Sequence, residues 1–127
     1  MIPGGPIMWL WVALGGALGA VLRVGLGIWL PAGRLPWGTI AANILGSLLI
    51  GWLIGRLGGI TAENARLQAL LVAGFCGGFT TFSSFSWQTI ELLQRGQVGW
   101  AIGHGVGSVL ICGLATWLGW RMAVSMI

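Results

Sequence analysis

The stretch Gly74-Phe75-Cys76-Gly77-Gly78-Phe79-Thr80-Thr81-Phe82-Ser83-Ser84-Phe85-Ser86 lies inside an apolar run from about Leu67 to Leu93 and interrupts its character near the middle. The run is long enough to cross hydrocarbon, which takes about 20 mostly apolar residues in a helix. Paired glycines and closely spaced hydroxyls within it argue against one continuous helix. Irregular backbone at membrane depth is tolerated only where it is buried in protein or lines a cavity, so this segment is the expected working centre. Phe79, Phe82 and Phe85 recur at three-residue intervals, close to one helical face, and alternate with hydroxyls. An aromatic ring carries a positive edge. Rings presented edge-on, with hydroxyl and amide donors beside them, suit an anion.

Three further apolar runs accompany this one, so the spans are expected at about residues 7–30, 37–57, 67–93 and 98–120. The fold class is therefore an all-α integral membrane protein with four transmembrane helices, the third broken near its middle, in a single domain over residues 1–127. Composition agrees: 57% of the 127 residues are hydrophobic and 6% charged, against about 25% charged in soluble domains. The links are short: Pro31-Ala32-Gly33-Arg34-Leu35-Pro36, then Gly58 to Arg66 with Thr61 as a capping candidate, then Gln94-Arg95-Gly96-Gln97.

The charges exclude some functions. Arg23, Arg34, Arg56, Arg66, Arg95 and Arg121 are scattered singly against Glu63 and Glu91, with neither Lys nor Asp. A nucleic-acid partner would need clustered positive charge. In a four-span layout Arg56, Arg66 and Arg121 share one side while Arg34 and Arg95 lie on the other. The Lys/Arg difference sets orientation. So small a bias predicts insertion both ways and pairing of two oppositely oriented copies, a homodimeric version of an inverted repeat.

Cys76 and Cys112 fall inside apolar runs and imply no disulfide framework. The amino-terminal Met1-Ile2-Pro3-Gly4-Gly5-Pro6 lacks the positive region of a signal peptide, and the first span is expected to be retained. Trp9, Trp11, Trp29, Trp37, Trp52, Trp100, Trp117 and Trp120 sit near span ends, as an interfacial belt requires, while Trp87 lies well inside the longer third segment. Gly15 with Gly19, Gly51 with Gly55, and Gly99 with Gly103 and Gly107 recur at four-residue spacing, which favours close helix packing.

Polar residues at membrane depth are functional candidates or interhelical bonds. Thr39, Asn43 and Ser47 align on one face of the second span, and His104, Ser108, Cys112 and Thr116 on one face of the fourth. With the hydroxyl-rich third span they outline a polar track. Arg23, about two thirds along the first span with no carboxylate there, would snorkel to the interface or favour anions in a vestibule.

With these residues in view the chain resembles the Fluc/CrcB fluoride channels over nearly its whole length. The motifs are Gly16-Ala17-Leu18-Gly19-Ala20-Val21-Leu22-Arg23, Gly38-Thr39-Ile40-Ala41-Ala42-Asn43-Ile44-Leu45-Gly46, and the run from Gly77 to Ser86, the last being the most specific. The resemblance implies an antiparallel, dual-topology homodimer in a bacterial inner or plasma membrane, with two fluoride pathways and a structural sodium ion at the dimer centre. It implies that Asn43 donates its amide to fluoride, that Phe82 and Phe85 present ring edges, and that the Gly77 and Thr80 backbone carbonyls hold sodium. Ser84, Thr39 and Ser108 would add polar lining, and His104, from the stripe of the fourth span, is placed on the same pathway. One position departs from the family pattern: Gln88 stands where a Glu is usual, so no role of that carboxylate is carried over.

The expected function is passive, fluoride-selective export that lowers the cytoplasmic fluoride level. The alternatives are a small multidrug-type proton-coupled exporter, which would want a membrane-embedded carboxylate, and a non-transport membrane assembly subunit, which would need no aligned hydroxyls. No nucleotide-binding motif is present. A lone His104 forms neither a triad nor a metal site, so an enzyme is not expected.

Overall fold

Proline and glycine punctuate a chain of four long helical segments, α1 (Pro6–Trp29), α2 (Trp37–Leu57), a composite third (Ala65–Gln94) and a final helix (Val98–Ser125). The structure, a computed structural model, describes residues 4–127. Met1, Ile2 and Pro3 of the amino-terminal reading lie outside them. All four segments are long and apolar enough to cross a membrane, and the described residues contain no strand.

The third segment is not uniform. It opens with α3 (Ala65–Leu67), continues as a π-helix (Gln68–Cys76) and ends its first half in α4 (Gly77–Phe79). Thr80 and Thr81 are then extended, with φ/ψ of −89°/157° and −149°/122°, before α5 (Phe82–Gln94). The final helix is α6.

Local chemistry explains the ends. Pro6 occupies the first turn of α1, where its missing N–H costs nothing. Gly58 ends α2 at φ 67°, and Gly96 turns the chain at φ 74°. Around Gly96 the Gly96 N–H reaches the Leu93 carbonyl at 3.0 Å and the Gln97 N–H the Leu92 carbonyl at 2.9 Å, a Schellman closure of α5. The link after α2 is fastened by Asn64, whose Nδ2 donates to the Leu57 and Gly59 carbonyls at 2.9 and 3.0 Å. The expected cap works inside this link: the Thr61 hydroxyl accepts the Asn64 N–H at 3.3 Å.

Burial is inverted relative to a water-soluble domain. Most of the buried apolar residues are small, namely Ala42, Ala65, Ala69, Cys76, Ala101, Ala115 and Ala123, while Leu, Ile, Val and Trp side chains face outward along every span. Lipid tails accept large apolar side chains, so helix association relies on close backbone approach. α2 runs along α6, and α1 along the π-helix. A Cβ on Gly15 would overlap the Leu70 carbonyl, one on Gly19 the Phe75 carbonyl, and one on Gly51 the Thr116 carbonyl. The third glycine stripe behaves differently, because a Cβ on Gly99, Gly103 or Gly107 would meet nothing within 4 Å in this chain. In α6 the close contact falls instead on Gly119, against the Leu48 carbonyl.

Candidate functional site

Everything at the centre of the molecule follows from the two extended residues between α4 and α5. In an uninterrupted helix the Thr81 N–H would donate to the Gly77 carbonyl, and the Ser84 N–H to the Thr80 carbonyl. Here the Thr81 N–H goes to Asn43 Oδ1 at 2.8 Å, and the Ser84 N–H to the Thr81 hydroxyl at 3.2 Å as an N-cap of α5. Two carbonyls, on Gly77 and Thr80, thereby lose their helical donors. Thr80 is itself tied back, its N–H and hydroxyl both donating to the Cys76 carbonyl at 3.0 and 2.8 Å.

Asn43, from α2, completes a two-point clamp on one peptide group: its Nδ2 donates to the Thr81 carbonyl at 3.1 Å while its Oδ1 accepts the Thr81 N–H. An amide nitrogen carries two hydrogens, so one donor remains after this bond. The clamp ties the extended Thr81 to α2, and Gly46 makes room beside it, since a Cβ there would overlap the Thr80 methyl.

These groups border a groove of about 500 Å³ lined by Asn43, Ser47, Gly77, Thr80, Thr81, Phe82, Phe85, Ser108 and Cys112, with apolar residues between them. Phe82 is 76% exposed and stands 5.4 Å from the Phe85 ring, centroid to centroid, at a tilt of 41°. The arrangement is apolar with a few convergent polar groups, the usual make-up of a small-ligand site. Its lining includes no acidic or basic side chain.

Of the residues singled out in the sequence, the groove gathers Asn43, Phe82, Phe85, Ser108, Gly77 and Thr80. Others lie off it. Thr39 accepts a hydrogen bond from Gln88 Nε2 at 2.9 Å, joining α2 to α5. His104 is 3% exposed, packs its ring 5.0 Å from that of Phe85, and sets Nδ1 3.5 Å from the Ser108 hydroxyl. Ser84 enters through its backbone N–H at the cap. Arg23 Nε donates to the Gly78 carbonyl at 3.2 Å. Thr116, last in the stripe of the fourth span, bonds back to the Cys112 carbonyl at 3.0 Å within its own helix.

Sequence reasoning did not find the Thr81 peptide as Asn43's partner or Gln88 as Thr39's. The first had no signal, because the contact spans 38 positions between two helices. Gln88 was visible as a polar residue in the third span, but its partner depends on how α5 lies against α2. Among the described residues there is no group of three or more His, Cys, Asp and Glu able to hold a metal, and Glu91 faces Arg95 at 3.9 Å near the end of α5.

Residues 10–120 match the sequence model of the family described as CrcB-like protein, Camphor Resistance (CrcB). A fluoride-specific ion channel FluC of Thermus thermophilus is 47% identical over 124 residues, covering 94% of this chain and 95% of that protein. Proteins of the same name from Methylocella silvestris and Rhodospirillum rubrum are 43% and 47% identical, over 92% and 87% of this chain and 93% and 90% of their own lengths.

Proposed function

This chain belongs to the CrcB-like protein family, and from that premise we propose that it is a fluoride-specific ion channel whose conduction site is the groove beside the α4–α5 break. It is a multi-pass membrane protein and not an enzyme. Fluoride is small and strongly hydrated, and burying a bare ion in low dielectric costs on the order of tens of kcal/mol. A path must therefore replace water with donors while binding weakly enough for the ion to leave. The observation that carries the reading is the gathering of Asn43, Ser108 and the Phe82 and Phe85 rings on one groove free of fixed charge. The remaining Asn43 amide hydrogen and the Ser108 hydroxyl are neutral donors, and the tilted rings can turn positive edges toward an anion.

The working unit in this proposal is an antiparallel dual-topology homodimer in the inner or plasma membrane. The near-even division of arginines supports it, as does the glycine stripe of α6, where a Cβ would meet nothing within 4 Å in its own chain. Ser84, Thr39 and His104 act behind the rings: the first caps α5, the second ties α5 to α2, and the third backs the Phe85 ring.

Sodium at the dimer centre fits the same backbone. A hard cation takes oxygen ligands, and the Gly77 and Thr80 carbonyls are among those relieved of their helical donors. Two copies would supply four such oxygens. Bound there, the ion would serve a structural role, supplying a partner for carbonyls that would otherwise be unpaired at membrane depth.

Proton-coupled export would require a titratable carboxylate in the path. Glu91 is placed against Arg95 near a span end, and the groove has none. The test is anion efflux from liposomes containing the purified protein, with ion-selective electrodes and no proton gradient. Fluoride efflux without chloride efflux is expected, and absence of fluoride efflux from dimeric protein refutes the assignment.

A further inference from the structure

Arg23 is a half-buried charge in the first span, and its Nε–H donates to the Gly78 carbonyl at 3.2 Å. The helical donor for that carbonyl would be the Phe82 N–H, but Phe82 begins α5 beyond the extended Thr80 and Thr81. The two extended residues therefore leave four successive carbonyls, Gly77 to Thr80, without their helical donors. Gly77 and Thr80 line the groove, and Arg23 satisfies the Gly78 carbonyl. It is not itself among the groove's lining residues. Gly78 also meets α1 directly, since a Cβ on it would overlap the Gly16 carbonyl. α4 is thus fixed to α1 at two points, one a backbone contact and one the Arg23 hydrogen bond.

We propose that Arg23 is a positioning residue: its Nε–H occupies the Gly78 carbonyl, turns that peptide toward α1, and so leaves the Gly77 and Thr80 carbonyls as the oxygen pair for the central cation. Its positive charge as an attractor of anions is secondary. The proposal rests on the sodium reading given above for its consequence, though not for the hydrogen bond itself.

The identity of the donating atom makes charge and donor separable. Gln places Nε2 the same number of bonds from Cα as Arg Nε, so Arg23→Gln keeps an N–H at that position and removes the charge. Arg23→Lys keeps the charge but moves the donor one bond outward. Arg23→Met fills similar volume with neither. Each full-length variant is purified as the dimer, and two quantities are read: amide hydrogen exchange of the segment 77–84, and the sodium concentration that half-maximally raises thermal stability. A lost charge-assisted hydrogen bond corresponds to roughly a tenfold change, so Arg23→Met and Arg23→Lys are expected to raise exchange and the sodium midpoint about tenfold, with Arg23→Gln within about threefold of wild type.

The opposite order, Lys resembling wild type and Gln resembling Met, overturns the proposal in favour of the charge. Equal behaviour of all three variants, whether unchanged or lost, also overturns it. If Arg23→Met does not assemble, the Gln and Lys comparison decides alone. A wild-type protein whose stability ignores sodium refutes the sodium reading only, and exchange of the 77–84 segment still decides the role of Arg23.

Discussion

Replacing Asn43 by Asp tests both halves of the site with a change of one group. Asp keeps an oxygen to accept the Thr81 N–H, now at 2.8 Å from Oδ1, but sets a second oxygen against the Thr81 carbonyl where Nδ2 donates at 3.1 Å. Losing that hydrogen bond and setting two oxygens against each other costs about 1–3 kcal/mol, which lowers stability without abolishing the fold. The larger effect is on the ion. A fluoride passing at about 4 Å from the carboxylate meets about 4 kcal/mol of repulsion at an effective dielectric constant of about 20. Each 1.36 kcal/mol is a factor of ten in rate, so efflux should fall roughly a thousandfold. The assay is fluoride efflux from proteoliposomes with a fluoride electrode, run beside gel filtration of the same preparation to establish that it is dimeric. Efflux within about tenfold of wild type from folded Asn43→Asp protein would require the anion to pass far enough away for most of that repulsion to be screened, which would refute the placement of the path.

Phe82→Ile removes the most exposed ring of the groove, and with an aromatic contact worth about 0.5–1.5 kcal/mol the fluoride rate should drop about three- to tenfold while thermal stability changes little. Gly51→Ala pushes a methyl into the Thr116 carbonyl of α6 and should destabilise by about 1–3 kcal/mol or more in thermal unfolding. Gly103→Ala, with nothing within 4 Å in its own chain, serves as its partner: if α6 pairs with a second copy through that stripe, this change weakens dimerisation in detergent while leaving the single-chain packing intact. Thr81→Ala removes the cap on the Ser84 N–H and should cost about 1 kcal/mol, seen as faster amide exchange at the start of α5.

The four spans were legible because hydrocarbon thickness imposes a length and a composition, and the observed helices lie within a few residues of the apolar runs except where α6 continues to Ser125. The run from Gly77 to Ser86 marked the place where the ladder loses its donors, and the extended dihedrals fall on Thr80 and Thr81. The π-helix before it carried no such mark, since Gln68–Cys76 reads as an ordinary apolar helix. Helical spacing also overstated the stripes. Thr39, Asn43 and Ser47 share a face of α2, yet Thr39 turns to Gln88 while Asn43 and Ser47 line the groove.

Sequence by itself determined that this chain has four stretches able to cross a bilayer, divides its arginines almost evenly between the two sides of a four-span layout, and resembles fluoride channels by motif. Those properties depend on composition, length and local order, which need no third dimension. Only the tertiary structure decided which atoms meet: that Asn43 clamps the Thr81 peptide, that Arg23 serves the Gly78 carbonyl, and that Gly77 and Thr80 are left without helical donors. Such assignments follow from how α1 and α2 lie against the extended Thr80 and Thr81, and a hydrogen bond between residues 38 or 55 positions apart has no local signature in the sequence.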